Sequence, residues 1–453
     1  MFSLVRFSID AAKEEEYPLV IPIKEGKFKK DFFEDVRFRI AVEGGKEVIY
    51  GSYKSEKDSL KWGARLAKFL KYNEIEEVWV RAGELRADRI VEGVLLASYE
   101  FNKYKVGKEE KEYRVHVIGE DELVNKAKIV TEAVFLARDL TNEPANKLTP
   151  QSFANKVQEI FKDLTHVSID VLDERELESK GLNGVLAVGK GSVNPPRLVI
   201  IKYKGDKGGL IAIVGKGVCF DAGGMHLKPT GYIEDMKMDM AGAAAALGAV
   251  LLAAKLGLRV NLAAVIPLVE NIPGPKAARP GDIIKMFNGK TVEIVNTDAE
   301  GRLILADSIS FAEKELNAST IIDLATLTGA QIVAFGHRIA AIMGNDKELV
   351  EKLKKTGEDV QEYLWELPLP DFYEELVKGD VSDLKNLPSP NSREAGSIVG
   401  GLFLKNFVEK AKWAHIDLAG PAINPKEWEW MPKGGTGFGV RLLVNYLENI
   451  SES

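Results

Sequence analysis

The sequence predicts an α/β protein of two domains, the larger one built on a mostly parallel sheet covered by helices. Three observations predict it. At 453 residues the chain is long enough for two domains. Beyond residue 143, short apolar β-rich runs alternate with helical stretches, the order expected when parallel strands are joined by helical crossovers. Near Asn142-Glu143-Pro144 the texture changes and a long amphipathic helix stops, because proline disfavours helix in the residue before it. The expected division is 1–143 for an N-terminal α/β domain ending in a connecting helix, and 144–453 for the larger domain.

The first domain mixes strands (Arg37 to Val42, Glu77 to Val80) with a helix from Leu60 to Tyr72. Residues 121–141 read as the connecting helix, with Leu123, Ile129, Val130, Ala133 and Leu136 apolar. Strands are then expected at Val167 to Val171, Leu198 to Tyr203, Ile211 to Val214, Leu262 to Ile266 and Ser319 to Asp323. Ile211 to Val214 is continuously apolar, as suits a strand buried on both faces. An Ala-rich helix is expected from Ala241 to Lys255, a strand from Thr291 to Val295, and a helix from Leu303 to Leu316. Loop signals gather at Asn271 to Pro275 and Leu387 to Asn391. There is no internal repeat.

Composition narrows the classes. A net charge of −7 argues against a dedicated nucleic-acid surface. The one cysteine, Cys219, excludes an intrachain disulfide and fits a reducing compartment. The start, Met1 to Ile9, is interrupted by Arg6 and followed by Lys13 and three glutamates, which is too charged for a secretory signal. The longest apolar stretch, Met240 to Ala254, falls short of the ~20 residues of a membrane span. These features point to a cytoplasmic, soluble protein.

The chemistry gathers in two segments. Asn296-Thr297-Asp298-Ala299-Glu300-Gly301-Arg302-Leu303 sets two carboxylates two residues apart, which would share one side if the segment were extended. Residues 211–224 carry a strand, then Lys216, Asp221 and a glycine-rich turn leading to Lys228; Asp239 follows. Four acids (Asp221, Asp239, Asp298, Glu300) match the charge of two divalent cations. A lone Gly-Lys-Gly would otherwise mark a surface lysine. Cys219 lies in the same loop, but no histidine is near it in sequence to make it a nucleophile. No His-Glu-x-x-His is present, which excludes a classical zincin, and Gly215-Lys216 is followed by Gly, not Ser or Thr, so a phosphate-binding loop is not supported.

These segments resemble the signatures of the leucyl aminopeptidase family, cytosolic di-metal exopeptidases. The octapeptide 296–303 matches in full. So do Arg138 to Pro144, Gly189 to Ser192 with Asn194 to Arg197, Ala325 to Ala330, Trp413 to Gly420 and Thr436 to Gly439. The resemblance implies a macro-domain-like N-terminal domain and a C-terminal peptidase domain. It implies that Asp221 and Glu300 bridge two metal ions, that Asp298 completes one site, and that Asp239 with Lys216 completes the other. The ions would be Mn²⁺ or Zn²⁺, with Mg²⁺ or Co²⁺ as alternatives. Lys216 could ligate only as a neutral amine. Lys228 would steady the oxyanion and Arg302 would hold a bicarbonate acting as general base. Met236 would line the pocket for the substrate's first side chain, with core packing as its other reading. Asn296, Thr326, Leu327 and Gly329 would bind the peptide. The resemblance further implies a homohexamer and a preference for Leu or other bulky apolar residues.

Two departures stand out. Ala222 replaces the family's usual Ser or Thr, and Met225-His226 replaces Ile-Ser, so the hydrogen bonding behind the ligands is in question. Three rival readings remain at this stage: a relative with an added DNA-binding role, a dipeptidase restricted to Cys-Gly-type substrates, and a catalytically idle scaffold.

Overall fold

The structure is a computed structural model that describes residues 2–12, 16–24, 37–119, 121–205, 208–390, 392 and 394–452. Lys13, two of the glutamates after it (Glu14 and Glu15), and Asn391 of the second loop signal lie outside the described residues. The chain divides into two compact units: Met1–Phe135 with Pro425–Lys433, and Leu136–Asn424 with Gly434–Ser453. The helix Asp121–Asn142 runs across that division.

The first unit holds a six-stranded sheet in the order Phe2–Ala12, Lys108–Ile118, Glu77–Arg81, Leu19–Lys24, Lys46–Tyr53, Phe38–Glu43. All neighbours are parallel except the last pair, a hairpin. The expected strands at 37–42 and 77–80 and the helix at 60–72 are found at Phe38–Glu43, Glu77–Arg81 and Ser59–Asn73. Trp62, Leu66 and Leu70 on one face of that helix are fully buried against Val78, Val80 and Val115 of the sheet. That spacing of four residues is the one that puts side chains on a single helical stripe.

The second unit is organised by a nine-stranded sheet. Its order is Tyr363–Glu366, Ile339–Gly344, Lys412–Asp417, Thr320–Ala325, Ile211–Gly215, Leu262–Asn271, Arg197–Tyr203, Val167–Leu172, with Gly217–Asp221 also paired to Leu262–Asn271. Five ladders are parallel and three antiparallel. The sheet is therefore mostly parallel, as the alternation of strands and helices predicts. Ile211–Gly215 is buried throughout and has a partner strand on each side.

Two features of this sheet position the site. First, Ile211–Gly215 and Gly217–Asp221 pair in turn with the two halves of Leu262–Asn271, at 262–265 and 268–271. They are one extended run broken at Lys216. Second, the parallel strands ending at Asp221, Asn271, Ala325 and Asp417 deliver their carboxyl ends to one edge, where ligands bind in open α/β sheets.

The Ala-rich helix is found at Ala241–Lys255, with nearly every side chain buried. Its small residues permit close approach to the sheet: a Cβ on Gly242 would sit 2.1 Å from the carbonyl oxygen of Leu324. Counted from Met236, this segment reaches 20 residues and is apolar enough for a membrane span, which the sequence reading placed just short of that length. It is a core helix of this unit.

Three outer or edge-ward strands, Ile339–Gly344, Tyr363–Glu366 and Lys412–Asp417, carry no strand expectation in the sequence reading. The strand expected over Thr291 to Val295 is shorter, Thr291–Glu293, and belongs to a separate three-stranded sheet with Ile283–Lys285 and Leu384–Lys385. Asp298 and Glu300 therefore do not sit at the end of a strand of the main sheet.

Candidate metal centre and active site

Asp298 lies in a turn closed by the Ala299 N–H donating to the Asn296 carbonyl at 3.2 Å. Glu300 has helical backbone angles and stands immediately before the helix Gly301–Lys314, with its side chain free of any capping bond. The two acids are thus not brought together by the alternation of an extended strand. A turn and a helix start do it instead, and oxygen atoms of Asp221, Asp298 and Glu300 come within 4.8 Å of one another.

Two lysines enter this cluster from different directions. Lys216 is 3% exposed at its side chain; its Nζ lies 2.8 Å from Asp239 Oδ1 and 2.9 Å from Glu300 Oε1, and donates to the Thr326 carbonyl at 2.8 Å. Gly301 leaves room for it, since a Cβ there would stand 2.5 Å from Lys216 Cε. Lys228 is 15% exposed, with its Nζ 2.8 Å from Asp221 Oδ2 and 2.6 Å from Asp298 Oδ1. Asp239 stands apart from the other three acids and joins them through Lys216.

The electrostatics follow from burial and crowding. Burial first, then the neighbouring acids Asp221 and Glu300, push Asp239 up to about 8 against the pull of Lys216. Burial and Asp221 likewise push Asp298 up to about 7, against Lys228. Glu300 is raised for the same reasons. For both lysines burial opposes the charge, but the carboxylates around them outweigh it and raise their pKa. Arg302 is buried, which draws its guanidinium down to about 10; its Nη1 donates to the Asn386 carbonyl at 2.8 Å.

The set fits divalent cations. All four acids offer hard oxygen donors, suited to Mn²⁺, Mg²⁺, Co²⁺ or Zn²⁺. Asp239 Oδ2 is buried with no hydrogen-bond donor, a position a cation would satisfy. Asp221 Oδ1 is held by the Gly223 N–H at 2.9 Å and Asn271 Nδ2 at 2.8 Å, which leaves Oδ2 facing the cluster.

The contacts of His226 run to Thr297, between the two signature segments. Thr297 Oγ1 donates to the Gly223 carbonyl at 2.6 Å and accepts from the His226 N–H at 2.8 Å, while His226 Nδ1 accepts from the Thr297 N–H at 3.2 Å. His226 therefore ties the two signature segments to each other through its Nδ1 and does not join the cluster of acids. Three supporting contacts have no counterpart among the sequence expectations. Asn271 orients Asp221. Thr326 Oγ1 donates to Asp239 Oδ1 at 2.6 Å. Buried Asp417 accepts from the N–H groups of Leu327 at 3.2 Å and Thr328 at 3.4 Å and from Thr328 Oγ1 at 2.6 Å, fastening the loop 326–329. Thr326 and Asp417 both lie in motifs of the resemblance, Thr326 there with a peptide-binding role only, whereas Asn271 lies in a stretch with loop signals.

Along that loop, Leu327 is half-buried and Gly329 is exposed with open space where a side chain would point. Met236 is half-buried on a short 3-10 turn before Asp239. Asn296 is half-buried, with its Oδ1 accepting from the Asp298 N–H at 2.8 Å. Cys219 is buried and its thiol is raised well above its ordinary range by burial, so it is inert.

A mostly parallel sheet with caged acids and amines along its carboxyl edge defines an α/β enzyme of the metal-dependent hydrolase kind. Comparison with known proteins agrees. The profile of the cytosol aminopeptidase family, catalytic domain, matches residues 135–444. A probable cytosol aminopeptidase of Geobacter sp. (strain M21) is 45% identical over 367 residues, 78% of this chain and 74% of that one. One of Clostridium perfringens (strain 13 / Type A) is 40% identical over 412 residues, 88% and 82% of the two chains. Among solved structures, the bottromycin maturation enzyme BotP in complex with Mn matches with a TM-score of 0.87 and 30% identity, over 96% of this chain and 99% of that one. The chain belongs to the cytosol aminopeptidase family, and is a metal-dependent aminopeptidase.

Proposed function

We propose that the enzyme removes the N-terminal residue of peptides, preferably Leu or another bulky apolar residue, with two divalent cations held by Lys216, Asp221, Asp239, Asp298 and Glu300. The observation that carries this reading is the convergence of four acids and two lysines on the carboxyl edge of the parallel sheet. Two cations so caged supply Lewis acidity and a water activated at neutral pH. Manganese is favoured by the Mn bound to the structural relative.

The chain's own residues then divide the work. Lys228, on the more exposed side of the cluster, offers an ammonium to the oxyanion of the attacked carbonyl. Arg302, buried and held by the Asn386 carbonyl, offers a planar fork suited to a bicarbonate that would accept the water's proton. Lys216, deep in the cage, would ligate a cation as a neutral amine. Thr326, Leu327 and Gly329 hold the peptide backbone, Asn296 adds a polar contact, and Met236 forms an adaptable wall for the first side chain. Catalysis belongs to the domain after residue 143, in a cytoplasmic homohexamer.

A metal-titrated assay on a matched pair of peptides, one with a free and one with an acetylated N-terminus, tests the reading. Only the free peptide is expected to be cleaved, and only with metal. Cleavage of the blocked peptide at a similar rate would refute an exopeptidase. A dipeptide panel then separates broad apolar preference from a restriction to Cys-Gly-type substrates.

A further inference from the structure

Every hydrogen-bonding group of Asn386 is committed to one short stretch of chain. Its side-chain oxygen accepts from the N–H groups of Val295 at 2.8 Å and Asn296 at 3.3 Å. Its side-chain nitrogen donates to the carbonyls of Asn296 at 2.7 Å and Ala299 at 3.3 Å. Its own N–H donates to the Glu293 carbonyl at 3.1 Å, and its own carbonyl accepts from Arg302 Nη1 at 2.8 Å. The residue is fully buried. An amide side chain has two donor hydrogens and two acceptor lone pairs, and all four are used here.

The stretch it grips is the acid-bearing turn. The ladder ends at Glu293 and the helix starts at Gly301, so residues 294–300 belong to neither. Their buried backbone groups need partners from elsewhere. Asn386 supplies four of them and also anchors the guanidinium of Arg302. It reaches the turn because Leu384–Lys385 pairs in parallel with Val292 and Glu293, which carries the next residue alongside the turn.

We propose that Asn386 is a positioning residue. It sets Asp298, Glu300 and Arg302 in register with one another and so tunes how tightly the cage takes a divalent cation. The inference rests on the cage reading above. No other side chain of this length has the same pattern. Aspartate would aim a carboxylate oxygen at the carbonyls of Asn296 and Ala299, and alanine would leave four backbone groups without partners.

Ser382 provides the control. Its Oγ accepts from the Glu293 N–H at 3.1 Å and donates to the Leu384 carbonyl at 2.6 Å. It fastens the same small sheet without bonding to the acid turn. Mn²⁺ binding is measured by calorimetry on the metal-stripped full chain, for the parent, Asn386→Asp, Asn386→Ala and Ser382→Ala, alongside hydrogen exchange of residues 294–302. The two Asn386 variants are expected to bind Mn²⁺ at least tenfold more weakly and to exchange faster across the turn. Ser382→Ala is expected to melt lower yet bind within twofold of the parent. Binding within twofold in the Asn386 variants, or equal weakening in Ser382→Ala, overturns the proposal. If the Asn386 variants do not fold, exchange in the parent decides: protected Val295 and Asn296 amides support the proposal, and loop-like exchange overturns it. A parent that takes up no Mn²⁺ defeats the cage reading itself, a different result from a parent that binds while the variants bind equally well.

Discussion

Lys216 and Lys228 divide the four acids between them, two each, and their surroundings give them different parts. Lys216 has 3% of its side chain exposed and spends its donors on Asp239, Glu300 and the Thr326 carbonyl. Lys228 reaches Asp221 and Asp298 from the exposed side, where a substrate carbonyl could meet its ammonium. The two should separate under mutation. Lys228→Ala is expected to keep its cations and lose turnover by about 10²-fold or more, the scale of a lost oxyanion donor. Elemental analysis alongside kcat on Leu-p-nitroanilide measures both, and a kcat within threefold of the parent would remove Lys228 from the chemistry. Asp298→Ala and Glu300→Ala should instead lose metal and activity together. Retention of full metal content by either variant would show that its carboxylate is not a ligand.

Elements make the cage possible by leaving space in chosen places. The start of the helix Gly301–Lys314 passes so close to Lys216 that a Cβ at Gly301 would stand 2.5 Å from Cε and 2.9 Å from Nζ. Gly301→Ala would ordinarily favour a helix by up to about 1 kcal/mol. Here it should drive Lys216 from its place, so Mn²⁺ affinity is expected to fall at least tenfold, as read by calorimetry; unchanged affinity would mean that Lys216 does not need this position. The helix Ala241–Lys255 is under a similar constraint. Gly242→Ala would press a methyl against the Leu324 carbonyl at 2.1 Å, and a loss of about 1–3 kcal/mol is expected from overpacking, read as a lower Tm. The sequence reading reached these elements unevenly. Ile211–Gly215 and Ala241–Lys255 were legible because buried strands and Ala-rich helices have strong local signals. Tyr363–Glu366 was not, because a four-residue edge strand with Tyr363 and Trp365 both exposed shows no alternation of apolar and polar residues. The ligand candidates were legible as motifs, since acids so close in sequence have few other uses. Asn271, the Asn386 side chain and Thr326 Oγ1 were not, since their partners lie 50, 87 to 91 and 87 residues away along the chain. Nor could the sequence show that Asp298 and Glu300 meet through a turn and a helix start, because the alternation of a strand would have aligned them equally well.

At the scale of the whole molecule, the cage is an electrostatic liability that bound cations would relieve. When all are ionised, Asp221, Asp239, Asp298 and Glu300 contribute four negative charges, and Lys216 and Lys228 return two positive ones. Three of these acids are at most 3% exposed, and burial raises Asp239, Asp298 and Glu300 above their ordinary range. Crowded like charges in a low-dielectric interior oppose folding. Cations that bind the native cage and not the unfolded chain must therefore stabilise the protein by mass action, by about 2.7 kcal/mol for a site held at a hundredfold excess over its Kd. Stripping metal with a chelator is expected to abolish peptidase activity and lower Tm, and titrating Mn²⁺ back should raise both. The rise in Tm should continue with the logarithm of free Mn²⁺ after activity has saturated, because linkage has no plateau while the unfolded chain stays unbound. Differential scanning calorimetry across a hundredfold range of free Mn²⁺ checks this. A Tm indifferent to metal, in protein whose activity still depends on it, would mean that these acids are not where the activating cation is held.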